Sequence, residues 1–251
     1  MKVTILGSGT STGVPEVGCR CEVCTSPDPH DKRLRASVLV ETGTEDILID
    51  CGPDFRYQMI RSGTTHLDGL LLTHIHYDHV GGMDDLRPFC RHQAMQVFAE
   101  RRVSDSLRDK YAYMFQDHKY PGIPDIDLIT IHRHSFVIGS TEVIPIRLFH
   151  YKLPVLGYRI GDFAYLTDFT ILPESELYKL NGVKLLIMDA LRKTKHLSHL
   201  SLDEALVIQD MIGAERTVFT HMSHQMGLHA VVNEDLPPHV SLGFDGMQLE
   251  I

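Results

Sequence analysis

Seven consecutive residues, Thr73-His74-Ile75-His76-Tyr77-Asp78-His79, constrain this chain more than any other stretch. Three imidazoles and a carboxylate crowd into it. Burying such groups together costs on the order of several kcal/mol unless they are paired or ligated. The apolar run before it, Gly69-Leu70-Leu71-Leu72, reads as a buried strand. Behind it, Val80-Gly81-Gly82-Met83-Asp84-Asp85-Leu86 has helix-like content. The motif therefore sits where a strand ends and a helix begins, the place where α/β sheets build their sites.

Other metal-type residues follow apolar runs in the same way. His150 comes after Ile146-Arg147-Leu148-Phe149, Asp168 after Tyr165-Leu166-Thr167, and His221 after Val218-Phe219-Thr220. Strand tips carrying such residues point to one edge where they converge. The sixteen histidines of the chain strengthen a metal-site reading.

The pattern predicts strands at Val3–Leu6, Ser37–Glu41, Asp46–Ile49, Leu70–Leu72, Met95–Ala99, Leu128–His132, Val143–Leu148, Leu156–Ile160, Ala164–Leu166, Leu185–Met188 and Thr217–Thr220. Helices are expected at Phe55–Arg61, Pro173–Leu180 and Leu202–Ile212, the last with Ser201 and Glu204 at capping-box spacing. Val240–Gly243 and Met247–Ile251 read as a final strand pair around Phe244-Asp245-Gly246. Residues 84–124 read as a helical insertion, with aromatics and charges such as Arg87, Phe89, Tyr111, Tyr113, Phe115, His118 and Tyr120. With no linker or repeat, the expectation is one strand-rich domain over 1–251, with helices outside.

Gly7-Ser8-Gly9-Thr10-Ser11-Thr12-Gly13-Val14-Pro15 is rich in glycine, yet it has neither dinucleotide spacing nor a following Lys-Ser/Thr. A tight loop bringing backbone close to a site is the better reading. Five cysteines cannot all pair within one chain, and Cys19, Cys21 and Cys24 have the compact spacing of zinc ligands. Cys51 and Cys90 have no such context. A formal net charge of -9 argues against a broad nucleic-acid face. Neither a secretory leader nor a membrane-length apolar run is apparent, so the expectation is a cytoplasmic protein without a membrane span.

The stretch His74-x-His76-x-Asp78-His79, followed in order by His150, Asp168 and His221, resembles the metallo-β-lactamase superfamily over essentially the whole chain. The resemblance implies an αββα sandwich, with the site at one edge between two β-sheets. It implies that His74, His76 and His150 hold one metal, that Asp78, His79 and His221 hold a second, and that Asp168 bridges them. Asp50 matches an early aspartate that supports the ligand loop. Imidazole and carboxylate donors suit zinc, manganese, iron or nickel. Two divalent ions balanced by Asp78, Asp168 and a hydroxide leave about +1, which suits a phosphate ester.

Within the superfamily, Cys19, Cys21 and Cys24 with Thr220-His221-Met222-Ser223-His224 resemble the PhnP family of phosphodiesterases. The opening loop and Gly243-Phe244-Asp245-Gly246-Met247 also resemble it. This places Cys19, Cys21, Cys24 and His224 on a structural zinc, in a loop near 18–35. It places a general acid at His199, with His196 as competitor, so that His199 and Asp78 form the catalytic set. The implied substrate is a small cyclic or nucleotide-like phosphodiester. Related enzymes are often dimers, which makes a homodimer the expected assembly.

Arg87 could clamp a phosphate or pair with Asp84, and Lys152 stands beside His150 in the same position. Competing readings are a tRNase Z-like nuclease, a lactamase or thioester hydrolase, and a protein like the pyrroloquinoline quinone B protein. The cysteine site and the acidic charge speak against the nuclease. Asp168 as a bridging carboxylate speaks against the lactamase, and the intact donor set favours hydrolysis.

Overall fold

The computed structural model describes residues 1–116 and 121–251. His118 and Tyr120, counted above with the helical stretch, lie outside the described residues. Two seven-stranded sheets pack face to face with helices outside, as the αββα expectation requires. The first runs β14-β1-β2-β3-β4-β5-β6 and the second β13-β12-β11-β10-β9-β8-β7. The strands of the first are β1 Lys2–Gly7, β2 Ser37–Glu41, β3 Asp46–Ile49, β4 Gly69–Leu71, β5 Met95–Glu100, β6 Ile126–Ile131 and β14 Gln248–Glu250. Those of the second are β7 Phe136–Ile138, β8 Thr141–His150, β9 Leu153–Ile160, β10 Phe163–Leu166, β11 Leu185–Asp189, β12 Arg216–Thr220 and β13 Val240–Leu242.

The sheets share a plan. Each opens with antiparallel pairs and continues with parallel ones: β3 to β6 in the first, β10 to β13 in the second. Strands buried on both faces are apolar throughout, and alternate residues serve different layers. Val3, Ile5, Ile47, Ile49, Leu71, Leu185 and Ile187 face the space between the sheets. Leu6, Leu48, Leu70 and Leu72 face out, under α2 (Phe55–Ser62) and α4 (Arg101–Lys110), where Phe55, Met59, Val103 and Leu107 cover them. Leu186, Met188 and Phe219 face the opposite side, toward Ala205 of α5 (Leu202–Ile212). Short helices α1 (Glu22–Thr25), α3 (Tyr77–Val80) and α6 (His229–Glu234) sit in the loops.

Several expectations change. Val240–Leu242 and Gln248–Glu250 are not a strand pair. The former lies parallel to β12 in the second sheet, and the latter closes the first sheet against β1. The turn between them carries the chain from one sheet to the other, because β1 and β12 each offer a free edge with apolar neighbours. Glu174–Leu180 is a 3₁₀ helix. The stretch 84–124 is woven into the first sheet: β5 pairs with both β4 and β6, and Val103 and Leu107 of α4 join the apolar layer over them. Its first turns, Met83–Cys90, are 3₁₀ with Pro88 inside.

Candidate metal centre

The strand ends put the donors at one edge. β3 ends before Asp50, β4 before Thr73-His74, β8 at His150, β10 before Asp168, β11 at Asp189 and β12 before His221. Asp50, Asp168 and His221 sit at φ of 63°, 51° and 60°. Non-glycine residues in this region are strained, and such strain gathers at functional sites.

Asp50 is fully buried and accepts from Thr73 N at 2.9 Å, from Thr73 Oγ1, and from His79 Nδ1 at 2.7 Å. Its carboxylate thus fixes the His79 ring with Nε2 turned into the site. There His79 Nε2 lies 3.2 Å from Asp78 Oδ2 and 3.4 Å from Asp168 Oδ1. His221 Nε2 lies 3.0 Å from Asp168 Oδ1 and 3.4 Å from Asp78 Oδ2. Asp78, His79, Asp168 and His221 therefore present four donors to one point. His74 and His76 converge on Asp168 from the other side, with His74 Nε2 3.6 Å from Asp168 Oδ2. His150 reaches the same carboxylate together with His199, and its Nδ1 donates to Ser198 O at 2.7 Å.

This donor set fits divalent cations. The buried Nε2 atoms of His74 and His79 have no hydrogen-bond partner, a costly state that a ligated ion relieves. Burial pulls His74 well below the usual imidazole range and draws His76 and His150 down too, so all three offer neutral nitrogens. Burial opposes charge at His79 and His221 as well. Asp168 and Asp78 outweigh it, lifting His79 well above its usual value and His221 to about 10. A cation entering between these carboxylates displaces those protons.

Cys19, Cys21, Cys24 and His224 form a second cluster. His224 Nδ1 lies 3.2 Å from the sulfurs of both Cys19 and Cys21. Three thiols and one imidazole match a closed structural zinc site. The Cys24 backbone N–H and His224 bring the Cys21 thiol down to about 6, while burial pushes Cys24 up to about 11. The cluster is tied to the first: Met222, between His221 and His224, donates to Ser8 O at 2.9 Å and accepts from Thr10 N at 3.0 Å. The opening glycine loop is the strap that holds the His221 segment. Asp245 holds that loop in turn, accepting from Ser8 N and Leu34 N.

Of the remaining candidates, His199 is buried against His150, its ring centroid 4.6 Å away. His196 is exposed, and its Nδ1 accepts from Ser198 N within its own loop. Arg87 pairs with Asp84 at 2.6 Å on the surface. Lys152 places Nζ 5.4 Å from the Tyr151 ring centroid. Asp189 was not singled out from the sequence. It is fully buried, with Oδ2 3.4 Å from His199 Nδ1 and Oδ1 3.6 Å from His221 Nδ1. The signal was there: Asp189 follows the apolar run Leu185–Met188, as the other donors follow theirs.

Comparison with known proteins places the fold in a family. A family model described as a beta-lactamase superfamily domain matches residues 45–222. An octanoyltransferase from Porphyromonas gingivalis is 46% identical over 251 residues, covering 99% of this chain and 51% of its own, so the chain spans about half that relative's length. The crystal structure of a diphosphatase from the PhnP family superposes with a TM-score of 0.93 at 36% identity, covering 100% of this chain and 97% of the other. Zinc-bound PqqB from Methylobacterium extorquens superposes at 0.81 with 20% identity, both chains covered fully, which speaks for the fold alone. The chain belongs to the beta-lactamase superfamily.

Proposed function

We propose that this chain is a dinuclear-metal phosphodiesterase of the PhnP type, acting on a small cyclic or nucleotide-like phosphodiester. One observation carries the reading. The Asp168 carboxylate divides its oxygens, Oδ2 toward His74 and Oδ1 toward His79 and His221. A carboxylate shared in this way links two cation sites close enough to grip one phosphate. His74, His76 and His150 would hold one ion, Asp78, His79 and His221 the other, and Asp168 both. Such ions polarise phosphoryl oxygens and lower the pKa of bound water.

The chain's own groups do the rest. Asp50, through Thr73 and His79, keeps the ligand loop in register. The His150 ring is oriented by Ser198 O, in the loop that also carries His199. Asp189 faces His199 Nδ1 and so leaves Nε2 to give a proton to the departing oxygen. Cys19, Cys21, Cys24 and His224 would hold the structural zinc. The cytoplasm and a homodimer remain part of the proposal.

The resemblance to a PhnP-family diphosphatase across the full chain supports this assignment. Octanoyl transfer is said of a protein twice as long as this chain, and we place it in the half this chain does not match. A substrate panel tests both points. Protein loaded with manganese, zinc or nickel should cleave bis(p-nitrophenyl) phosphate and one or more cyclic or nucleotide phosphodiesters, and should ignore octanoyl thioesters and nitrocefin. Turnover of thioesters with inert phosphodiesters would replace the proposal with an acyl hydrolase.

A further inference from the structure

Three tight hairpins of the second sheet share one backbone shape. β7 and β8 join through Gly139-Ser140, β9 and β10 through Gly161-Asp162, and β8 and β9 through Tyr151-Lys152. The flanking pairs are Ile138 with Thr141, Ile160 with Phe163, and His150 with Leu153. In each turn the first loop residue has positive φ: 57° at Gly139, 55° at Gly161 and 55° at Tyr151. Two-residue hairpins take this conformation because it matches the twist of their strands, and glycine adopts it without a Cβ clash. At Gly161 space is not the reason for glycine, since a Cβ there would meet only Met1 Cε at 3.5 Å. Conformation alone accounts for it.

The third turn departs from this rule, and it is the one at the metal edge. β8 runs from the Gly139 turn to His150, and β9 runs from the Tyr151 turn back to Gly161. Among the described residues, the other non-glycine residues at positive φ are Asp50, Asp168 and His221, all in or against the donor cluster. Tyr151 follows His150 directly, is 46% exposed, and has the Lys152 ammonium over its ring. Core packing does not explain a tyrosine there, and the turn itself favours glycine.

We propose that Tyr151 is a substrate-contact residue whose ring stacks on a flat ring carried by one arm of the diester, a nucleobase or an aryl group, with Lys152 beside it to meet negative charge. An exposed aromatic face at a site mouth recognises planar groups of many kinds. The assignment rests on the phosphodiesterase reading for its substrate and on the turn geometry for its residue.

The experiment compares metal-loaded wild type with Tyr151→Gly and Tyr151→Phe. Calorimetry would titrate adenosine 5′-monophosphate and inorganic phosphate into each. Tyr151→Gly relieves the turn, so its thermal midpoint should hold or rise by a few degrees. Its affinity for the nucleotide should fall about tenfold while that for phosphate stays within about twofold. Tyr151→Phe should bind both like wild type. Unchanged nucleotide affinity in Tyr151→Gly, equal loss for both ligands, a lowered midpoint, or no nucleotide binding by wild type would each overturn the proposal. Diester hydrolysis is read separately. If wild type cleaves none yet the nucleotide-specific loss appears, the phosphodiesterase reading fails and the ring contact stands. Hydrolysis with no nucleotide-specific loss does the reverse.

Discussion

Asp189 sets Oδ2 3.4 Å from His199 Nδ1 and Oδ1 3.6 Å from His221 Nδ1, so the proposed general acid and a candidate ligand border one buried carboxylate. The Leu200 N–H, next to His199 in sequence, also donates to Asp189 Oδ2 at 3.3 Å, which ties the His199 loop to the end of β11. Replacing His199 with alanine should lower kcat about 10²–10⁴-fold for alkyl or ribosyl leaving groups, which need a proton. With p-nitrophenolate, a good leaving group, the loss should stay under about tenfold. Equal losses across a leaving-group series would rule out the acid role. At this scale the sequence was most legible where residues crowd together, as in His74–His79 and Cys19–Cys24. Asp189 went unread because a single aspartate after an apolar strand looks like any strand end. Only the fold shows which histidines it faces.

The hairpins show what single elements contribute. Glu45, beside the β2–β3 turn, accepts from Ser140 N and Oγ and from Thr141 Oγ1 in the β7–β8 turn, fastening the two sheets at the end away from the candidate metal centre. Gly139 makes room, since a Cβ there would fall 2.3 Å from Glu45 Oε1. The Ser140 N–H first, then the Thr141 and Thr44 hydroxyls, hold the Glu45 carboxyl down to about 2. A depressed acid contributes its stability above its unfolded pKa of about 4.3 and loses it as pH falls toward the folded value. Urea unfolding of wild type and Glu45→Gln should therefore differ most near pH 6, and the gap should close between about pH 4.5 and pH 2. A gap independent of pH would mean that the anion is not its source. Strand existence was largely legible, because alternate or continuous apolar residues mark β1 to β6 and β8 to β12. The three-residue β7 was not, being too short to show a period, and the 3₁₀ form of Glu174–Leu180 hides behind ordinary helical composition.

Across the whole molecule the two candidate metal clusters share one support. The strap from Ser8 to Thr10 binds Met222, which lies between His221 of one cluster and His224 of the other. Metal analysis should find about three ions per chain, two at the Asp168 centre and one at the cysteines. His224→Ala should lose one of them and unfold at a lower temperature, while leaving-group preference stays that of wild type. A variant that keeps three ions and full stability would remove His224 from the zinc. The sandwich itself was legible through the resemblance of its ordered histidines and aspartates. The partners of the last two strands were not, because short apolar segments do not name the edge they join.

That last crossing has a consequence for how the protein comes into being. The first sheet takes its outermost strand from Gln248–Glu250, which follows the other described strands in sequence, and both clusters draw a histidine from His221–His224. As the chain leaves the ribosome, His74, His76 and the three cysteines emerge long before the partners that complete their sites. The nascent first half therefore carries bare thiols, half-built ligand sets and an unpaired β1 edge, the kind of surface that invites aggregation. Neither candidate cluster has its full donor set until translation has passed residue 224.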